Sequence, residues 1–242
     1  MLLLALDTST SAITSALLDA SGDTQASAVS APVVLVRRRI DVRGHAEWLS
    51  AQVAELLAEG GYTSRQVTHV VAGEGPGPFT GLRVGLITAE TFAFATGAQY
   101  AGVCSLDALA FAACREGSVS GRFLVATDAR RKEVYWATYE YDSEAGDVVV
   151  PRRLTEPSVA KPAELPDDVR ALPCVGRGTT LYPELLPQAA GPLDVDAGEL
   201  ARLALALHRQ GQLDLRDRAR PLYLRRPDAV PSAPPPAEGA RA

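Results

Sequence analysis

Two stretches half a chain apart carry the same pattern. LLLALDTSTSAITSALLD starts at Leu2 and FLVATDARRKEVYWATYE starts at Phe123. Laid together without a gap, Ala5 meets Ala126, Asp7 meets Asp128, Ile13 meets Val134 and Ala16 meets Ala137, with the aspartates 121 residues apart in a chain of 242. Each copy reads as a buried strand ending in Asp, a tight polar turn and a second strand. Such a repeat predicts two similar α/β halves facing one another across a cleft.

The rest of the pattern agrees with an α/β fold and a mixed sheet. Short runs of branched or aromatic residues predict strands at Leu2–Leu6, Ala12–Leu18, Val33–Ile40, Val67–Ala72, Phe123–Thr127, Val134–Tyr141 and Val148–Arg152. Helical spacing predicts helices at His45–Glu59, Leu82–Thr96, Ser105–Arg115 and Ala197–Gln210. The expected halves are residues 1–104 and 105–226. The tail 227–242, PDAVPSAPPPAEGARA, has almost no bulky apolar side chain and is expected to be disordered.

A strand ending in Asp before a turn of small residues resembles the phosphate-side hairpin of the actin, Hsp70 and sugar-kinase superfamily. The fold this implies is the duplicated actin-like (ASKHA, RNase H-like) one. In an active member, small residues let backbone N–H groups approach the phosphates. Asp7, Thr8, Ser9, Thr10 and Asp128 are therefore the candidate nucleotide or phosphate residues, with ATP or ADP as the candidate ligand. The second copy instead has Arg130, Arg131 and Lys132 where glycine is expected. Two structural hairpins with a degenerate cleft and no cofactor fit the sequence at least as well.

Residues 74 to 85 read EGPGPFTGLRVG. No lysine follows Gly81, so this is not a Walker loop, and Thr80 stands where a dinucleotide fingerprint needs its third glycine. The loop reads as a stiff turn for close packing, with Thr80 as the expected cap of the next helix. In that helix Gly81, Gly85, Ala89, Ala93 and Gly97 recur every fourth residue, while Val84, Ile87, Thr91 and Phe94 fill roughly the opposite face. The helix before it pairs an apolar stripe (Leu49, Val53, Leu56, Leu57) with small flanking residues. A helix apolar on both sides needs cover on both sides. Two readings fit: the helices pack on each other within the fold, or together they form a subunit-docking face.

The net charge of −5 supplies no global basic field for nucleic acid, though VRRR (36–39) and Arg130, Arg131 and Lys132 are local candidates for phosphate contact. Cys104, Cys114 and Cys174 are odd in number and lack Cys-x-x-Cys spacing, which points to a reducing, cytoplasmic setting. The apolar start MLLLALDTST reads as a first strand, with no window long enough to span a membrane. His45, His69 and His208 lie too far apart in sequence to form a metal pair, and no nucleophile signature occurs, so neither catalytic nor metal-binding residues are expected.

LLALDTST, HAEWLSAQVAELL, EGPGPFTGLRVG, SLDALA, DARRKEVY and PLYLR occur in one order. Together they resemble the TsaB (YeaZ) family across nearly the whole chain to Arg225. The resemblance implies a non-catalytic partner of the catalytic subunit TsaD, in the complex that adds threonylcarbamoyl to the adenosine next to the anticodon of tRNA. TsaE, a small ATPase, joins that complex, tRNA is met indirectly, and the docking surface can also make homodimers. Carried over, that surface comprises His45, Trp48, Leu49, Gln52, Gly81, Arg83, Gly85, Ile87, Ala89 and Glu90. Pro78 stands where the family usually has Ser, and LITAETFAFA replaces a more frequent Lys-Gly pair. Two alternatives remain: an ATP-using enzyme of the sugar-kinase type working through Asp7 and Asp128, and a glycoprotease-like metallopeptidase.

Overall fold

The structure is a computed structural model that describes residues 1–20, 33–40, 45–142, 150–216 and 218–225, with the backbone alone at 33–34 and 45–47. The tail from residue 227 and the start of the strand expected at Val148 lie outside the described residues.

The first sheet has the order β3-β2-β1-β4-β5. Its strands are β1 (Leu2–Asp7), β2 (Ala12–Asp19), β3 (Val33–Ile40), β4 (His69–Gly73) and β5 (Gln99–Val103). β1, β2 and β3 form an antiparallel meander, whereas β4 and β5 run parallel to β1. Helices α1 (His45–Gly60) and α2 (Phe79–Thr96) lie in the two crossovers. After α3 (Ser105–Arg115), the second sheet repeats the scheme in reduced form. β6 (Gly121–Asp128) pairs antiparallel with β7 (Val134–Tyr141), which meets the short strands β8 (Arg152–Arg153) and β9 (Ser158–Ala160). The one-turn helix α4 (Asp167–Arg170) leads to β10 (Cys174–Val175), parallel to β6; α5 (Gly178–Leu181) and α6 (Ala197–Arg209) follow. This is the duplicated actin-like architecture.

β1 and β2 are buried almost end to end, because both faces of the first sheet are covered. Leu4, Leu6, Ile13 and Leu17 face α1 and α2, whereas Leu3, Ala5, Ala16 and Leu18 face α3 and α6. Those two helices lie between the sheets, where Phe123, Val125, Ala137 and Tyr139 close the same core from the other side.

That burial corrects the gapless match of the two copies. The second strands agree, with Ala16 and Ala137 both facing the shared core. The first strands are out by one: Ala5 faces the shared core, while Ala126 faces the outer cluster with Leu124 and Val134. Ala5 therefore corresponds to Val125, and Asp7 to Thr127 rather than Asp128. Six residues separate the paired Asp7 and Thr14, and seven separate Thr127 and Tyr135. One extra turn residue thus flips the alternation, and Asp128 falls on the side of Leu124 and Ala126.

The helix after the Gly/Pro loop starts three residues earlier than expected, at Phe79. Its cap is Pro78, whose carbonyl accepts the Leu82 N–H at 2.9 Å without any side-chain capping bond, so Thr80 is a first-turn residue and not the cap. At the other end, Gly97 takes a left-handed φ of 76° and donates its N–H to Ala93, a common helix stop. The loop itself is built for close approach. A Cβ on Gly77 would lie 2.5 Å from the Ser9 carbonyl oxygen, and one on Gly85 would lie 2.5 Å from Thr8 Oγ1. The Thr8 hydroxyl donates to the Gly81 carbonyl at 2.7 Å and accepts the Gly85 N–H at 2.9 Å, fastening the β1–β2 turn into the side of α2.

Gly85→Ala puts a methyl group into that fastening. Alanine would otherwise favour the helix by about 1 kcal/mol, but the clash and lost hydrogen bonds are expected to outweigh this. A net destabilisation of about 1–3 kcal/mol should appear as a lower urea midpoint.

Candidate functional site

Two regions concern function: the outer face of α1 and α2, and the place where the sheets' hairpins meet. On α2 the small residues point inward. Gly81, Gly85, Ala89 and Ala93 are buried together with Leu82 and Leu86. The close approach foreseen from the small strip is thus satisfied inside the chain, by Thr8, the sheet and α1. Leu49 is likewise buried, and the buried Gln52 accepts from the Ser15 hydroxyl at 3.1 Å while its amide faces the Ile13 carbonyl. Leu49, Gln52, Gly81, Gly85 and Ala89 are therefore packing residues, not part of the exposed docking surface. The side chain of His45 lies outside the described residues.

What remains exposed is a stripe of large residues. Ile87 is 52% exposed, and Phe94, two turns on, 89%. Arg83, Glu90 and Thr91 share that side. Trp48 on α1 is partly exposed and lies under the Arg39 guanidinium, 3.4 Å from the ring centre, where cation–π attraction holds the indole in place. At the start of α2, Phe79 packs on Tyr223 with ring centres 5.1 Å apart, both rings partly exposed. Trp48, Arg83, Ile87 and Glu90 belong to the docking surface that the resemblance implies; Phe94, Phe79 and Tyr223 do not. Phe94 carried a signal, since it follows Ile87 at heptad spacing on the face opposite the glycines.

The hairpins meet with little space between them. Asp7 is fully buried. Its oxygens accept from the Ser9 N–H and hydroxyl at 2.8 Å and from the Ser105 hydroxyl at 2.6 Å. Gly73 lies so close that a Cβ there would overlap the carboxylate. Burial pushes the Asp7 carboxyl above its ordinary pKa of 3.8, against the lowering pull of the Ser105 and Ser9 bonds. Thr8 and Ser9 are buried, and the Thr10 hydroxyl accepts from the Ala12 N–H. The structure does not bring the two candidate aspartates, Asp7 and Asp128, onto one side. Asp7 is enclosed by its own turn, and half-buried Asp128 pairs with Arg130 at 2.9 Å on the other side of its sheet.

Beside them, buried Asp194 takes Arg177 at 2.6 and 2.7 Å and Arg38 at 2.9 Å. Arg38 belongs to the edge strand β3 and Arg177 precedes α5, so one carboxylate ties the first sheet to the second half. The recess among Thr10, Ser11, Pro78, Asp128, Arg130 and Arg177 has a volume of about 10 Å³. That is room for about one water, against roughly 300 Å³ or more for a ligand pocket.

Cys104, Cys114 and Cys174 are all free and buried, and burial pushes the Cys114 and Cys174 thiols up to about 12. His69 accompanies Thr68 at 2.8 Å and His208 the Leu213 carbonyl at 3.1 Å. No group of three or more His, Cys, Asp or Glu suited to a metal occurs among the described residues. No described helix is long and apolar enough to cross a membrane.

Two outcomes follow. Asp194→Asn removes the charge between two arginines that stay partly solvated, so it is expected to cost about 2 kcal/mol, below the 3–5 kcal/mol of a fully buried pair. Thermal and urea unfolding would read it. Asp7 holds its proton more tightly folded than unfolded, so its contribution to stability falls as pH rises above about 4 and recovers on acidification. Asp7→Asn should therefore remove that share of the downward slope above about pH 4 in denaturation midpoints.

The family model described as TsaD, tRNA N6-adenosine threonylcarbamoyltransferase, matches residues 39–169. A protein of Mycobacterium tuberculosis described as uncharacterized is 39% identical over 206 residues, covering 83% of this chain and 85% of that one. The tRNA threonylcarbamoyladenosine biosynthesis protein TsaB of Escherichia coli is 29% identical over 193 residues, 76% of this chain and 81% of that one. The solved structure of YeaZ from Pseudomonas aeruginosa superposes with a TM-score of 0.72 at 31% identity, covering 92% of this chain and 99% of that one. With this identity, this coverage and the same architecture, the chain belongs to the TsaB (YeaZ) family.

Proposed function

We propose that this chain is a non-catalytic subunit in the synthesis of threonylcarbamoyladenosine in tRNA, and that it works by docking onto a TsaD-type catalytic subunit in the cytoplasm. The observation that carries this reading is the uncovered apolar stripe of α2, Ile87 and Phe94. Large apolar side chains grouped on one rigid helix face are the usual anchors of a protein interface. Their backing favours the same reading: the small residues beneath hold α2 deep in the fold, so the face is presented on a fixed support. Arg83 and Glu90 flank the stripe and supply the polar rim that sets orientation.

A non-catalytic role is supported by the engaged state of the groups a catalyst would use. The Asp7 oxygens are taken up by Ser9 and Ser105, and the recess beside Asp128 and Asp194 is small. Chemistry on the nucleoside then falls to the TsaD-type partner, with a TsaE-type ATPase as a further member. A second copy of this chain would compete for the same α2 face.

The test is the mass of the purified chain in solution, alone and mixed with a TsaD-type protein, beside the double variant Ile87→Glu and Phe94→Asp. Both positions project outward, so the variant is expected to keep its circular dichroism and unfolding midpoint. The wild type should form a one-to-one complex or a homodimer, and the variant should bind about 30-fold more weakly or worse. A wild type that stays monomeric under both conditions overturns the reading.

A further inference from the structure

The turn between β6 and β7 is chemically unusual. Arg130, Arg131 and Lys132 occupy left-handed backbone, with φ of 60°, 54° and 64°. L-residues with long side chains take that conformation at a cost, and turns that need it normally carry glycine, asparagine or aspartate. Packing does not explain the choice, because all three residues are exposed while Ala129 and Val134 supply the apolar contacts. The turn is closed by backbone bonds, Ala129 N–H to the Glu133 carbonyl and Glu133 N–H to the Arg130 carbonyl, which glycine would make equally well.

The surroundings sort charge by depth. Arg177 and Arg38 lie on Asp194, and Arg225 on Glu133 and the Ala129 carbonyl. The Asp194 side chain is 0% exposed against 41% for Arg38 and 27% for Arg177, and that of Asp128 18% against 50% for Arg130, whereas Glu133 and Arg225 lie equally deep. Asp194 and Asp128 are sunk below the cations that pair with them, so water meets a positive rim on a chain whose net charge is −5. Since the recess beneath holds only about 10 Å³, a ligand must lie across the rim rather than enter it.

We propose that this rim, built on Arg130, Arg131 and Lys132 with Arg177 beside them, binds backbone phosphates of the RNA substrate directly. The inference rests on the docking reading above and adds a second contact surface to it. A polyanion with charges spaced along a chain suits a row of exposed cations. A protein partner suits it less, because these three residues offer no apolar anchor. The left-handed turn is a positioning device: it forces three consecutive side chains outward from a tight hairpin.

The test is the affinity of fluorescent tRNA for the assembly with a TsaD-type protein, and for the chain alone, as a function of salt. The variant is Arg130→Asn, Arg131→Gly and Lys132→Gly, each suited to positive φ, so its unfolding midpoint should equal or exceed the wild type's. We expect tRNA affinity to drop on the order of tenfold and the log–log salt slope to flatten by roughly two to three, with assembly intact. Unchanged affinity and slope overturn the proposal. So does a variant that loses assembly while binding tRNA normally, which assigns the rim to an acidic protein surface. If the wild type does not assemble at all, the docking reading fails, and the titration of the chain alone still decides the rim.

Discussion

One hydroxyl sets the geometry of the N-terminal half. Thr8 gives its proton to the Gly81 carbonyl and takes the Gly85 N–H, with no Cβ on Gly85 to hold it off. The link places the β1–β2 turn against the first turns of α2, and both the sheet and the helix then have fixed positions. Gly77 must pass the Ser9 carbonyl at a distance no side chain allows. Buried hydrogen bonds of this kind contribute only about 1 kcal/mol each in net terms, but losing one partner strands the other in a dry core. The glycines of the loop are therefore coupled to the turn they touch.

This fastening engages groups that a phosphate-binding hairpin would present. In a phosphate-binding hairpin the turn's N–H groups and hydroxyls face the ligand. Here the Ser9 N–H and hydroxyl turn back to Asp7, Thr8 turns to α2, and Ser105 closes over the carboxylate. Arg38 and Arg177 then converge on Asp194, holding the first sheet to the second half where a hinge would otherwise open. The same contacts that make the core dry make the molecule stiff, and a stiff body with an uncovered helix face is suited to docking.

Much of this was legible in the sequence, for identifiable reasons. β3, β7 and α3 have the expected limits because their apolar spacing is strong and their ends carry turn residues. The strand QYAGV of β5 escaped notice, since a strand buried on both faces, with a glycine inside it, shows no alternation. β10 and α5 are too short to have a period at all. The gapless repeat misled at one point only: a single extra turn residue moves Asp128 to the opposite face, and sequence similarity does not register sidedness. At the site, Trp48, Arg83, Ile87 and Glu90 were legible as surface. Gly81, Gly85 and Ala89 come to the docking face through the resemblance, whereas the strip of small residues fits internal packing as well, because it says that something comes close without saying what. Here it is the chain's own turn.

Side-chain size on α2 links this internal packing to the outer face. A helix that buries glycine lets another piece of backbone approach closely, as α2 does at Gly85 with the Thr8 turn. Its inward contacts combine backbone at Gly81 and Gly85 with the buried Leu82 and Leu86, so the helix has little freedom to rotate. Rotation is what a lone helix with exposed Ile87 and Phe94 would use to hide them. By placing the small residues inside and fixing them through Thr8, the fold denies that escape and keeps both apolar side chains in water. Such exposure disfavours the isolated chain by about 25 cal/mol for each Å² of apolar surface left uncovered. Covering the same surface with a partner returns that free energy. The constraint that orders the interior is thus the one that keeps the exterior ready to bind.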